Sequence, residues 1–422
     1  MYYAHNLPVA TQTNEPPYEN YGPIPFSKCD VDPSAIITAL EAEFARVAHA
    51  RPVVAKDGRA LLIHVCDKAH ASEAESSLIE LRELARTAGV DVPDSILQVR
   101  HQVDPKYVLG RGKLEDVVIR AMQLDAEVLI FDTNLRPAQA AAIAGFTDLK
   151  VIDRTQLILD IFAQRAESKD GKLQVELAQM KYLLPRLGQR DDGLSRLTGG
   201  IGGRGPGETK LEVGKRRANE RIARLSRELK HLSRQRDQRR KRRRTSDAAI
   251  VAIVGYTNAG KSTLLNSITG SDVIAENKLF ATLDTRARRA RLQSGREIVL
   301  TDTVGFIRNL PKDLFAAFRA TFEEAQDADL LLHVVDASDP AHGAHIRTTE
   351  QLLIELGLEF VPRMIVYNKI DKLNEEEQRQ IETRRDGVLV SAFNQDSVRT
   401  LEMKIEDMLE VAPEQDFDPI SL

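Results

Sequence analysis

The chain has 422 residues, 42% of them hydrophobic and 29% charged, which is too long for one ordinary domain and supplies enough apolar material for two or three cores. No window approaches 18 uncharged apolar residues, and the first residues show no basic stretch followed by an apolar run, so neither a membrane span nor a secretory signal is expected. Cys29 and Cys66 alone exclude a disulfide framework and a zinc set, and nine scattered histidines form no ligand cluster, so the expectation is a reducing, cytoplasmic setting without a structural transition metal.

Residues 1–32 carry Pro8, Pro16, Pro17, Pro23 and Pro25 with few aliphatics and read as a flexible lead. Residues 33–165 read as a domain of their own. A helix is expected over 32–48, where Asp32 can cap and Pro33 suits the first turn. Short apolar runs at 61–65, 96–99, 127–131 and 150–152 alternate with amphipathic segments such as 72–88 and 114–122. Strands alternating with helices predict an α/β layer built on a parallel sheet.

Residues 166–246 differ in kind. Leu173, Leu177, Met180 and Leu184 recur at helical spacing, and Leu211, Ala218, Ile222, Leu225, Leu229 and Leu232 keep the same rhythm after a break. Eight glycines lie between the two stripes, over 187–207. Two heptad stripes joined by such a loop predict an antiparallel helical hairpin, a coiled-coil arm. The net charge of −4 hides an asymmetry here: 24 basic and 11 acidic residues between Arg165 and Asp247 give a local balance of +13, leaving −17 for the rest. The arm runs out into Arg239-Arg240-Lys241-Arg242-Arg243-Arg244. One reading is a solvated helix face with a basic linker; the other is a polyanion-binding arm whose affinity falls steeply with salt.

Residues 247–412 carry the chemistry. The apolar run 249–254 leads into Gly255-Tyr256-Thr257-Asn258-Ala259-Gly260-Lys261-Ser262-Thr263 and then a helical 264–268, a P-loop in its strand–loop–helix context. Its backbone N–H groups, including those of Asn258 and Ala259, suit phosphate oxygens, and the new helix adds its positive end. Lys261 is expected on the β- and γ-phosphates and Ser262 on Mg²⁺, with Thr263 beside them. After a strand at 297–301 comes Asp302-Thr303-Val304-Gly305: Asp302 is placed to hold Mg²⁺ through water, and Gly305 to offer its N–H to the γ-phosphate. After 364–367 comes Asn368-Lys369-Ile370-Asp371. The Asp371 carboxylate pairs with N1–H and the exocyclic amine of guanine, which adenine lacks, and the Lys369 stem packs along the base. After 388–390 comes Ser391-Ala392, whose backbone N–H suits guanine O6. In this order the four stations resemble the Ras-like translation-factor GTPases, and they make GTP the nucleotide and GTP hydrolysis the reaction.

Two positions bear on catalysis. Thr282 and Thr285 both fall where a switch threonine must touch Mg²⁺ and sense the γ-phosphate, and the Phe-x-Thr-Leu pattern, which resembles the corresponding loop of Obg-like and HflX-like GTPases, favours Thr282. Phe306 follows Gly305 where many GTPases carry a water-orienting glutamine; a phenyl ring cannot orient water, so a polar group from a partner or a monovalent cation is expected to help. Asn258 resembles the asparagine of potassium-activated GTPases, and loop-stabilising hydrogen bonding accounts for it equally well.

Longer strings make the resemblance specific. Asp104-Pro105-Lys106-Tyr107-Val108-Leu109-Gly110-Arg111-Gly112-Lys113, then Gly199-Gly200-Ile201-Gly202-Gly203-Arg204-Gly205-Pro206-Gly207-Glu208-Thr209-Lys210-Leu211-Glu212, then the 279–284 loop and Asp302-Thr303-Val304-Gly305-Phe306-Ile307-Arg308-Asn309-Leu310-Pro311 resemble the HflX-type ribosome-associated GTPases over about 33–395. The resemblance implies binding to the large ribosomal subunit, with the bacterial members splitting ribosomes under stress, and an arm that approaches the peptidyl-transferase region. Arg196, Arg204 and the 239–244 run are then the candidate rRNA contacts. It also implies an adenine-nucleotide activity in the N-terminal domain, for which Leu109-Gly110-Arg111-Gly112-Lys113 is a weak signal beside a plain helix-start turn. Only about thirty residues follow Ser391, one closing helix (397–410) and an acidic tail (413–422), where family members often carry a further domain, which bears on splitting more than on binding.

The expected partner is the large subunit, through rRNA, with no DNA, no integral membrane association and a monomeric protein. Two other readings stay open: a GTP-gated switch whose arm binds an acidic protein or a membrane surface peripherally, and an RNA-remodelling NTPase driven by the N-terminal domain. The absence of tryptophan disfavours membrane insertion.

Overall fold

The computed structural model describes residues 3–6, 18–23, 25, 38, 58–187, 210–243, 248–270, 279–280, 286–308, 315, 323–384 and 386–411. Most of the expected 32–48 helix, the glycine-rich loop, Thr282, Thr285 and the 413–422 tail lie outside these. Inside the expected lead, β1 (Tyr3–Asn6) and β2 (Tyr18–Tyr21) pair antiparallel. Their tyrosines favour extended backbone, a preference that proline content alone obscures. By backbone contacts the chain divides into two units, Met1–Ile161 with Tyr182–Ala218, and Phe162–Lys181 with Asn219–Leu422.

The first unit holds a four-stranded parallel sheet of order β4-β3-β5-β6, from β3 (Arg59–Asp67), β4 (Asp91–Arg100), β5 (Val128–Phe131) and β6 (Lys150–Asp153). Its helices are α1 (Ala71–Thr87), α2 (Arg111–Gln123), α3 (Pro137–Ala144) and the greater part of α4 (Arg154–Arg165). β3 is buried over nearly its whole length, which is why it reads as a continuous apolar run rather than an alternation. Leu61, Ile63 and Val65 pack with Leu114, Val117 and Ala121 of α2 and Ile143 of α3. Each such side chain contributes about 1.5–3 kcal/mol on leaving water. The other face carries His64, which alternation turns away from that core.

Two long helices follow, α5 (Lys169–Leu183) and α6 (Lys210–Arg243). At 1.5 Å per residue α6 is roughly 50 Å long. The buried residues of α5 are Gly171, Gln174, Val175, Leu177 and Ala178, so the seam is rotated from the leucine stripe and Leu173 is only half-buried. Small residues there admit a close neighbour, and leucine spacing alone does not register that. On α6, Ala218 and Leu225 are buried, and Arg221 pairs with Glu176 of α5 at 2.5 Å.

The nucleotide domain is a six-stranded sheet of order β12-β11-β10-β7-β9-β8. Its strands are β7 (Ala249–Gly255), β8 (Arg286–Arg291), β9 (Glu297–Asp302), β10 (Leu330–Asp336), β11 (Arg363–Asn368) and β12 (Gly387–Leu389), and only the β8–β9 pair is antiparallel. The helices are α7 (Lys261–Thr269), α8 (His342–Glu355), α9 (Glu375–Arg384) and α10 (Gln395–Val411). Val251, Ile253, Leu300, Leu332 and Val366 of the central strands close on Leu264 and Leu265 of α7 and Leu401 and Ile405 of α10. That packing fixes the strand ends where the functional loops emerge.

Candidate nucleotide site

β7 runs into the loop 256–260, and α7 starts at Lys261. Gly260 has φ 92°, and a Cβ on it would stand 2.3 Å from Asn368 Nδ2, so the turn requires glycine twice over. Asn258 also takes a left-handed backbone, φ 60°, which asparagine tolerates better than most residues. Lys261 is buried and donates to the carbonyls of Tyr256 (2.8 Å) and Gly255 (3.2 Å). Burial pushes its pKa down to about 8, Asp302 offsetting this only in part. A phosphate arriving at this ammonium would supply the missing counter-charge.

Gly305 closes over the same loop: a Cβ there would lie 2.9 Å from Lys261 Nζ and from Thr257 Cα. The neighbouring Phe306 is buried, donates its N–H to Gly255 O (3.0 Å) and accepts at its own carbonyl from Thr257 N–H (2.8 Å). Phe306 therefore packs the strand-to-loop junction, in keeping with a side chain that orients no water. Ser262 Oγ donates to Asp302 Oδ2 at 2.7 Å, Asp302 being 1% exposed. A hydroxyl and a buried carboxylate are hard oxygen donors of the kind Mg²⁺ takes alongside water and phosphate. No set of three or more His, Cys, Asp or Glu among the described residues could hold a metal. Thr263 follows on the first turn of α7.

The base-side residues converge too. Asn368 Nδ2 donates to Ala259 O (2.9 Å), and Asn368 Oδ1 accepts from Ala392 N–H (3.2 Å), tying the P-loop to the Ser391-Ala392 turn. The Ala392 N–H expected on guanine O6 is thus engaged by Asn368 in this state. Ser391 Oγ donates to Asp371 Oδ1 (2.6 Å), which orients the carboxylate, and Ser391 N–H is held by Ser397 Oγ (3.1 Å). Lys369, at φ 66°, donates to Asn258 O (2.7 Å) and pairs with Asp336 at 2.6 Å.

The structure therefore brings together Gly255, Asn258, Ala259, Gly260, Lys261, Ser262, Asp302, Gly305, Asn368, Lys369, Asp371, Ser391 and Ala392. Sequence reasoning missed Asp336, whose signal was a carboxylate closing the apolar run of β10. It also missed the Tyr256 ring, stacked on His345 of α8 at 3.8 Å with its hydroxyl accepting from Arg308 N–H (2.8 Å). No spacing rule exposes that pair, because α8 lies some ninety residues further on.

Three family models match: the "GTP-binding GTPase N-terminal" region over 75–163, the "GTP-binding GTPase Middle Region" over 165–243 and the "50S ribosome-binding GTPase" domain over 250–369. The GTPase HflX of Caldanaerobacter subterraneus is 50% identical over 315 residues, 75% of this chain and 73% of that protein. The GTPase HflX of Escherichia coli K12 is 45% identical over 302 residues, 72% and 71% of the two chains. The crystal structure of the SsGBP–GDP complex, 24% identical, aligns over 83% of this chain and 98% of that one with a TM-score of 0.48. The P-loop geometry and these relatives together make the chain a GTP-hydrolysing enzyme and a member of the GTPase HflX family.

Proposed function

We propose that this GTPase binds the large ribosomal subunit in its GTP state and dissociates or rescues ribosomes under stress, hydrolysis resetting the switch. The carrying observation is that the nucleotide domain matches a domain family described as 50S ribosome-binding. The +13 balance of residues 165–247 supports rRNA phosphate as the ligand of the arm, with Arg196, Arg204 and the 239–244 run as contacts, although the side chains of these positions lie outside the described residues. The protein acts in the cytoplasm as a monomer; no helix among the described residues is long and apolar enough to cross a membrane.

In the working site Lys261 meets the β- and γ-phosphates, Gly305 offers its N–H to the γ-phosphate and Asp371 reads guanine. Ser262, Asp302 and Thr282 would hold Mg²⁺, which would neutralise charge developing on the transferred phosphoryl group. Two of the three N–H groups of the Lys261 ammonium are held by the Gly255 and Tyr256 carbonyls, which leaves the third for a phosphate oxygen. K⁺ beside Asn258 would add positive charge at the phosphates and so offset the water orientation that Phe306 does not supply, a role checked by comparing turnover in K⁺ and Na⁺ at equal ionic strength.

Co-sedimentation with purified large subunits tests the reading, using a non-hydrolysable GTP analogue, GDP and no nucleotide across a salt series. Binding that prefers the GTP analogue, weakens steeply with salt and is lost on neutralising 239–244 supports it. Binding that ignores the nucleotide, or none at low salt, sinks it.

A further inference from the structure

We infer that the outer edge of the nucleotide-domain sheet, β8 and its turn into β9, docks the phosphate backbone of RNA independently of the helical arm. β8 reads Arg-Ala-Arg-Arg-Ala-Arg, and Arg296 follows in the turn. The strand ends the sheet order and, among the described strands, pairs with β9 alone. Arg288, Arg289, Arg291 and Arg296 are exposed.

These cations are not spent on the fold. Among the described residues none of the four forms an ion pair with a carboxylate, and Arg291 Nε donates only to the Gly295 carbonyl of its own turn, at 3.2 Å. Glu297 stands opposite Arg291 in register, and Glu406 is taken up by Ser294. The core asks for apolar side chains at Ala290 and Leu292, which are buried, and leaves the arginine positions unconstrained.

An open edge needs some charge to deter strand addition, and lysine commonly supplies it. Five arginines (286, 288, 289, 291 and 296) with no lysine call for a reason beyond charge. A guanidinium is weakly hydrated and presents a planar fork that meets two phosphate oxygens at once. Residues two apart on a strand stand about 7 Å from each other, so Arg289 and Arg291 repeat along one face while Arg288 flanks the other. Such a row can track a phosphodiester chain, with release of condensed counterions as the driving term. Arg286 pairs in register with Asp302, so a chain held on β8 also restrains the strand end that carries Asp302.

Naming RNA rather than an acidic protein rests on the ribosomal reading above, so the experiment separates the two. The full chain and an Arg289→Gln/Arg291→Gln variant are titrated across a salt series onto a fluorescent A-form RNA hairpin and, in parallel, onto purified large subunits. Arg379→Gln/Arg399→Gln, an equal charge change elsewhere, is the control. The expected result is a slope of log K against log salt shallower by roughly 1.4–1.8, the change for two phosphates no longer neutralised. Affinity at low salt should fall about tenfold, with intrinsic GTP turnover unchanged and lysine at both sites restoring the slope but not the full affinity. No hairpin binding, an unchanged slope, an equal loss in the control, or equal competition by polyglutamate overturns the inference. A hairpin effect without subunit binding would keep the docking edge and reject the ribosomal reading.

Discussion

At the carboxyl end of the first unit's sheet, Asp132 accepts hydrogen bonds from His64 Nδ1 (2.6 Å), Ser77 Oγ (2.6 Å) and Arg154 Nη1 (2.8 Å), while Arg154 also reaches Glu80. Burial alone would raise the Asp132 pKa, but His64, Arg154 and Ser77 together hold it below the usual carboxylate range. At the carboxyl end of the second sheet, Lys261 rests on its own loop's carbonyls, Asp302 on the Ser262 hydroxyl, and Asp371 on the Ser391 hydroxyl. The first set is paired charge to charge and built to stay. The second is held by groups that a phosphate, a metal ion or a base can replace at little cost. The two glycine-bearing helix starts differ in the same way. β7 feeds the P-loop directly, whereas ten residues and a bridged turn, Asp104 to Val108, separate β4 from α2. There the Arg100 guanidinium donates to the Leu109 carbonyl and lies 2.6 Å from where a Gly110 Cβ would be.

The largest effect expected of this contrast is at Lys261. Lys261→Ala should lower kcat/KM for GTP by about 10³-fold, since a buried cation aimed at developing charge is lost. Steady-state hydrolysis checks it, and a loss under tenfold would mean that the ammonium does not reach the developing charge. In the first unit the expected loss is of stability. Asp132→Asn should cost about 3 kcal/mol in urea unfolding, because the buried Arg154 loses a carboxylate partner and His64 and Ser77 lose their charged acceptor. A change under about 1 kcal/mol would show that the network relaxes like the labile set.

His333 belongs to neither class. It sits on β10, buried, with no hydrogen bond to Nδ1 among the described residues, and burial, with Arg363 and Lys261 adding to it, pushes its pKa down to about 4. The unfolded chain therefore takes up a proton between about pH 6.5 and 4 that the folded chain refuses. Stability is full above 6.5 and declines as pH falls towards 4, by roughly 3 kcal/mol in all. His333→Leu should remove that part of the acid sensitivity; identical pH–stability curves would show a proton acceptor nearby.

Asp371→Asn should weaken guanine-nucleotide binding about 100-fold, the charge-assisted hydrogen bonds proposed to N1–H and the amine being lost. Xanthosine nucleotides should gain, because an amide can donate to their C2 carbonyl. Fluorescent-nucleotide titration decides it, and equal affinity for GTP would remove Asp371 from base recognition. At the small end, Lys113→Ala should leave ATP and GTP affinities unchanged, since Lys113 sits 3.8 Å from Asp116 on a helix start occupied by Arg100. A loss of ATP binding would collapse the contrast between the two loops.

The nucleotide site was legible because its residues are local. Strand, loop and helix follow within some twenty residues around Lys261, and each later station sits at the end of an apolar run that announces a strand. Composition likewise exposed the basic excess of residues 165–247, charge being additive along a chain. The alternation that predicted a parallel sheet over 61–152 gave the strands but not their order, nor the short α3. Tertiary structure alone decided the rest. Asp132, His64, Ser77, Glu80 and Arg154 span 64 to 154 in the sequence, and nothing in any one of them marks a shared network. The arginine edge became visible only once β8 proved to be the outermost strand, and Asp336 once β10 lay between β7 and β11. Backbone conformation answers to near neighbours, while burial and charge pairing depend on which distant segments the fold brings together.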